Sequence, residues 1–257
     1  MKKRIWLTML EKDEQTAQRL YQTITRYGLD ADGHFWVDDL ENMAWSGPMQ
    51  SLSEPATAMW LISAQGEGLS RPETRYGLSV LALAVQGRRA LTLPILLLVP
   101  EEKDQPALPT PLAGAEVLNQ EAGLGPKLAA RANMPPPEQS TEYRLTVHPL
   151  PGLGQWLEVG PARAQVWAGS LLGLDQGRIT AHGVGPAGKV PERTVLEYQM
   201  QDMTLEAGGE EFTAWAVHNR LTDAESYYVQ IKGMPGSLLF GGLPDGDSGE
   251  LYRLQLV

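Results

Sequence analysis

Few residue groupings in this chain have the types and spacing that chemistry needs. The first is Ser70-Arg71-Pro72-Glu73, just after the apolar run 59–63. A carboxylate at the rim of a sheet can act as a general acid, a general base or a nucleophile. The same four residues have the S-x-x-E form of a capping box, in which Ser70 and Glu73 satisfy each other's backbone N–H groups. Pro72 suits the first helical turn, and an acid there suits the helix dipole. The cap is the expected role of Glu73 and catalysis is the alternative. A second grouping, Asp38, Asp39 and Glu41, could hold a ribose hydroxyl or a metal, but reads first as a solvated acidic loop.

The remaining candidates are sparse. His34, His148, His182 and His218 never pair at helical spacing, so a zinc site would need several strands to converge and no metal is expected. The chain has no cysteine, which removes disulfides, thiolate nucleophiles and Cys-type zinc sites. No G-x-S-x-G elbow is present, and neither phosphate-loop pattern fits the segment around Gly66-Glu67-Gly68. Trp45, in a Gly/Pro loop, is the aromatic expected to be exposed, able to stack on a ring or anchor a protein interface. Trp156, Trp167, Trp215, Tyr227 and Tyr228 could line a sugar or peptide groove, although alternating aromatics are ordinarily sheet packing.

Composition narrows the classes. The 257 residues are 42% hydrophobic and 20% charged, which supports a real core. Net charge is −10, and both halves are acidic, −4 up to residue 140 and −6 beyond it. Neither carries a basic run, so nucleic-acid backbones and anionic membrane surfaces are not expected partners. No apolar run approaches the ~18 residues of a membrane helix. The apolar stretch 5–10 is short for a signal segment and reads as a first strand, and a cytoplasmic protein is the simplest expectation.

Two kinds of pattern must position these residues. Up to about residue 130, apolar runs at 5–10, 34–37, 59–63, 95–99 and 116–118 alternate with helix patterns at 16–27, 70–88 and 124–132. In the first helix Ala17, Leu20, Tyr21 and Ile24 make one stripe, and Gly28 closes it. The order predicts a doubly wound α/β domain with a parallel sheet over residues 1–133. Residues 134–141 are rich in proline and read as an extended linker. From 142 to 257 the pattern becomes short alternating runs at 143–148, 156–159, 164–168, 178–181, 195–200, 211–218, 227–232, 237–240 and 251–257, with Gly, Pro, Asp and Asn between them. This predicts a β-sandwich-like domain.

Several motifs of the first domain, taken in order, resemble a TIR domain. Ile5-Trp6-Leu7-Thr8 followed by Asp13 and an amphipathic helix resembles its opening strand and helix. Phe35-Trp36-Val37-Asp38-Asp39-Leu40 with Met43-Ala44-Trp45 is similar to its second strand and long loop. Ser63 stands where the third strand usually ends in Ser, and Leu93-Pro94-Ile95-Leu96-Leu97-Leu98 is similar to its fourth strand. A receiver domain fits less well, because Ser63 replaces the phosphorylatable Asp and no Lys stands near Leu118-Asn119.

The resemblance implies two jobs, cleavage of NAD or binding to other TIR domains. Aligned on the apolar helix face, Gly77 stands where the family carries its catalytic glutamate, and Glu73 lies one turn early. The expectation is therefore a degenerate TIR-like interaction or assembly module without cofactor, in a bacterial-type signalling or defence system. Its partners would be other protein chains, with self-association among the options. The alternative is an NAD-cleaving hydrolase using Glu73, with Asp13, Trp45 and Ser63 around the substrate. A third reading is a ligand-sensing β domain.

Overall fold

A computed structural model describes residues 2–89, 92–99, 107–118, 123–135, 142–243 and 250–257. The chain divides into two compact units, Met1–Gln139 and Ser140–Val257. Most of the proline-rich stretch expected as a linker, from residue 136 to 141, lies outside the described residues.

The first unit is a five-stranded parallel sheet of order β2-β1-β3-β4-β5. Its strands are β1 (Arg4–Met9), β2 (Asp30–Phe35), β3 (Thr57–Ser63), β4 (Ile95–Leu98) and β5 (Glu116–Leu118). The helices are α1 (Glu14–Arg26), the short α2 (Met49–Ser53), α3 (Pro72–Arg88) and α4 (Leu124–Asn133). This is the expected flavodoxin-like α/β class. Strand alternation separates two apolar faces. Ile5, Leu7, Met9, Met59, Leu61, Leu96 and Leu98 form one core with Leu20 and Ile24 of α1 and Leu124 and Leu128 of α4. On the opposite face Trp60 Nε1 donates to Thr8 Oγ1 at 2.8 Å, which satisfies both polar atoms in the interior. α1 ends before Gly28, whose φ of +80° suits glycine.

The second unit is built from two antiparallel sheets, consistent with a sandwich. One has the order β6-β7-β12-β9, with β6 (Tyr143–Leu150), β7 (Gly154–Pro161), β9 (Arg178–Pro186) and β12 (Glu225–Lys232). The other has the order β10-β11-β8-β13-β14, with β8 (Ser170–Leu174), β10 (Met200–Ala207), β11 (Glu210–Val217), β13 (Ser237–Gly242) and β14 (Leu251–Gln255). Trp215 and Phe240 both pair with Leu172 and so share one face of the second sheet. Tyr143 of the first sheet meets Phe240 edge-on at 4.9 Å, so this face is turned toward the other sheet.

Two expected strands are replaced. Of 164–168 only Trp167 pairs, in an isolated bridge to Leu221, and the strand forms at Ser170–Leu174 instead. Residues 195–199 belong to a long connection from β9 to β10. That connection protects β9, an edge strand: Thr194 Oγ1 accepts from Val184 N at 2.7 Å and donates to Val184 O at 3.0 Å. Occupied edge groups cannot template a foreign strand.

One buried group of the first unit makes stability depend on pH. Trp6 Nε1 donates to His34 Nδ1 at 3.1 Å, so the neutral ring carries its proton on Nε2, which is buried without a partner among the described residues. Burial pushes the His34 imidazole down to about 4. The unfolded chain takes up this proton near pH 6.5 and the fold resists it, so stability falls as pH drops from 6.5 to about 4, by about 3 kcal/mol at the limit. His34→Gln keeps an acceptor for Trp6 and removes the titration. Urea unfolding at pH 7 and pH 4.5 is expected to show a smaller loss in this variant than in the parent; equal losses would contradict the assignment.

Candidate functional site

In an open α/β sheet, ligands bind at the carboxyl edge where strand order reverses. Here β1 and β3 are neighbours from which the chain winds outward in opposite directions, so the crevice lies above Met9 and Ser63. Three loops frame it: 10–13 after β1, 36–48 after β2 and 64–71 after β3.

A carboxylate from the second loop ties this edge together. Asp38 Oδ1 accepts from Trp36 Nε1 at 2.7 Å, and Thr74 Oγ1 lies 2.9 and 3.0 Å from its two oxygens. Arg71 reaches Asp38 Oδ2 at 3.0 Å with one nitrogen and Glu11 Oε1 at 2.9 Å with another. The guanidinium fork thus bridges loops after β1 and β2 from the start of α3. Each ion pair is half exposed and contributes little alone. Their joint effect is geometric, because they hold Trp36 in place. A Cβ on Gly77 would lie 2.7 Å from Trp36 Cζ2 and 3.5 Å from Trp45 Cβ. The indole of Trp36 therefore occupies the space that a side chain at 77 would need, and glycine is what admits it.

The expected site residues fall in separate roles. Asp13 is the N-cap of α1: its Oδ1 accepts from Gln15 N and Thr16 N at 3.0 Å each, and its Oδ2 from Thr16 Oγ1 at 2.6 Å. These bonds, led by the Thr16 hydroxyl, hold its pKa below the usual carboxylate value. Ser63 ends β3 at 1% exposure, and its Oγ has no partner among the described residues. Trp45 was expected at the surface and is instead 2% exposed, because its short 3-10 turn, Ala44–Ser46, packs beside Gly77.

The Ser70–Glu73 box does not form. Ser70 belongs to a preceding 3-10 turn, Gly68–Ser70, and its Oγ donates to Glu67 Oε2 at 3.2 Å. The cap position is taken by Arg71, whose side chain makes no cap bond because it serves Glu11 and Asp38. Glu73 stays exposed in the first turn of α3, where an acid suits the dipole. In the sequence Asp38 reads as one member of a solvated acidic cluster, and Arg71 carries no expected role. The available signal was their neighbours: an acid two residues after Trp36, and an arginine just before Pro72.

The chemistry open to this edge is limited. Asp38 accepts from three side chains, which leaves it poorly placed to take a proton from a substrate. Glu11, Asp38, Asp39, Glu41 and Glu67 lie in loops or turns at this end and Glu73 in the first turn of α3, against Lys12, Arg71 and Arg75, so among the described residues the local field disfavours an anionic nucleotide. Among the described residues no three His, Cys, Asp or Glu side chains stand together as a metal site.

The second unit contains a buried polar hub. Glu158, 3% exposed, accepts from His148 Nε2 at 2.6 Å, Ser226 Oγ at 2.7 Å and Gly188 N at 2.8 Å. Burial pushes its pKa up, and the bonds from His148, Gly188 and Ser226 outweigh this and hold it low. The group contains Ser, His and Glu in the wrong order for a triad. The carboxylate, not the imidazole, contacts the hydroxyl, and Ser226 is fully buried. It fastens the β9–β10 connection to the sheet. His182 and His218 lie apart from it, beside Tyr227 and Tyr198 respectively.

No protein-family model matches the chain, and no curated protein matches it in sequence. Among the solved structures that match, two each overlap about half of it. One is a protein from Burkholderia pseudomallei described as pilus assembly-related, with 16% identity, covering 51% of this chain and 89% of that one at a TM-score of 0.34. The other is a 3-dehydroquinate dehydratase-like protein from Bifidobacterium longum, with 18% identity, covering 51% of this chain and 96% of that one, also at a TM-score of 0.34.

The packing of Trp36 on Gly77 can be tested by a double-mutant cycle. By helix propensity alone, Gly77→Ala stabilises by about 1 kcal/mol. Overpacking against the indole costs about 1–3 kcal/mol. The expected outcome is a lower Tm for Gly77→Ala with Trp36 intact and a higher one in a Trp36→Ala background. A higher Tm in both backgrounds would contradict the close contact.

Proposed function

We propose that the first unit is a non-catalytic interaction or assembly module with a degenerate TIR-like domain, working in a bacterial-type signalling or defence system. The observation that carries this reading is the indole of Trp36 on Gly77, held by Asp38. In the alignment suggested by the strand and helix order, position 77 is where a cleaving enzyme of this type needs its carboxylate. Here that position has no side chain, and its space is filled by an aromatic ring. Glu73, one turn earlier, is exposed in a helix start, with no general base or nucleophile paired to it among the described residues. Asp13, Trp45 and Ser63 are a helix cap, a core residue and a strand end. The surplus of acid at the edge also favours a protein partner with basic groups over a dinucleotide.

The alternative is NAD cleavage through Glu73. Incubating the full chain with NAD and following nicotinamide release separates the two, with sedimentation velocity run on the same preparation across a concentration series. The interaction reading predicts no turnover, a Glu73→Gln variant that changes Tm at most, and a sedimentation coefficient that rises with concentration or with an added protein partner. Nicotinamide release that Glu73→Gln abolishes would overturn it.

A further inference from the structure

Between edge strand β9 and the β10–β11 hairpin, the sandwich carries a side-chain cluster that the proposed function does not use. His182 of β9 meets Trp215 of β11 edge-on, with ring centroids 4.8 Å apart. Its Nδ1 lies 2.9 Å from the buried Tyr227 hydroxyl. Its Nε2 lies 3.1 Å from Gln199 Oε1 and 3.4 Å from Gln201 Nε2.

A neutral ring nitrogen is a donor or an acceptor, not both. With the Tyr227 hydroxyl donating to Nδ1, Nε2 carries the proton and serves Gln199. The exposed Gln201 amide is then left with its own donors and acceptor to offer. Burial keeps the His182 imidazole on the neutral side of its ordinary value, which fits this tautomer.

The segment Tyr198-Gln199-Met200-Gln201-Asp202 that supplies these groups is strained at both ends. Tyr198 has φ +44° and Asp202 φ +53°, left-handed values that non-glycine residues rarely adopt. The β10–β11 register shifts between Met200 and Met203, across Asp202. Two contacts hold the strain: Trp215 Nε1 donates to Asp202 Oδ1 at 3.1 Å, and the Tyr198 ring stands edge-on to His218 at 5.9 Å. The result is a tyrosine 82% exposed, carried by the same short segment as two amides and a carboxylate. Backbone held in rare conformations by its surroundings is characteristic of binding sites.

We infer that this mouth, formed by Tyr198, Gln199, Gln201 and Asp202 with His182 and Trp215, is a recognition site for a neutral oligosaccharide. The apolar C–H face of a sugar ring packs on an exposed aromatic ring, and its hydroxyls pair with amide and carboxylate groups. The six side chains are neutral or acidic, which disfavours an anionic ligand.

The test is calorimetric titration of the full chain with maltotetraose, cellotetraose, xylotetraose and chitotetraose, and with an end-blocked tetra-alanine peptide. Saturable binding of at least one saccharide is expected, weakened about tenfold or more in Tyr198→Ala and in Gln201→Leu. Leu153→Ala, an exposed position on the β6–β7 turn, is expected to bind as the parent does. Both site substitutions are at the surface, and circular dichroism checks the fold. Tyr198→Gly adds a readout that packing alone would not give: a Tm at or above the parent's together with lost binding. Failure of all the saccharides to bind, binding unaffected by both site substitutions, or binding of the peptide alone would overturn the assignment.

Discussion

The carboxylate of Asp38 is the interaction on which the shape of the first unit's carboxyl edge depends. It is a short anionic group reached by an indole N–H of its own loop and by a hydroxyl and a guanidinium from the start of α3. Each bond alone is modest in water. Together they fix one outcome, the indole of Trp36 lying on the bare backbone of α3 at Gly77. Removing the carboxylate would free Trp36 and leave Arg71 with only Glu11, so the loops after β1 and β2 would lose their common anchor. The crevice edge that the topology creates thus carries a half-buried indole over α3.

The second unit uses a buried acid for a related purpose. Glu158 gathers an imidazole, a hydroxyl and a backbone N–H in the interior, where an unpaired carboxylate would be costly. Through Gly188 it anchors the long β9–β10 connection, which then covers the β9 edge through Thr194 and enters β10 by way of the strained Tyr198–Asp202 segment. In both units a carboxylate positions a loop. At the edge of the first sheet the loop lays Trp36 where a side chain at 77 would stand, and in the sandwich it carries exposed polar and aromatic groups.

The sequence made the buried elements legible and the edge ones obscure. β3 and β4 are continuous apolar runs covered on both faces, and the stripe of α1 is bounded by Asp13 and Gly28, so pattern and burial coincide. β2 was expected at 34–37 from its aromatic residues and forms at Asp30–Phe35. It is an edge strand whose Asp-Ala-Asp-Gly start has no apolar alternation, so backbone pairing to β1 decides its place. α2 has five residues and no side-chain cap, too little to read. Residues 164–168 and 195–199 alternate like strands, yet the first gives one bridge and the second a strap, because strand partners are a tertiary property. At the site, glycine at 77 was readable as the absence of an acid, but the ring that fills its place was not. That contact joins residues 41 positions apart, and Trp45 is buried beside it.

The contact is tested most directly at the Trp36 indole. Its Nε1–H resonance can be assigned with a Trp36→Phe variant and its exchange with water measured by NMR at neutral pH. An indole held by Asp38 predicts exchange much slower than that of free indole, with protection lost in Asp38→Ala. A Trp36 indole proton that exchanges at the free rate in the unaltered chain would contradict the account.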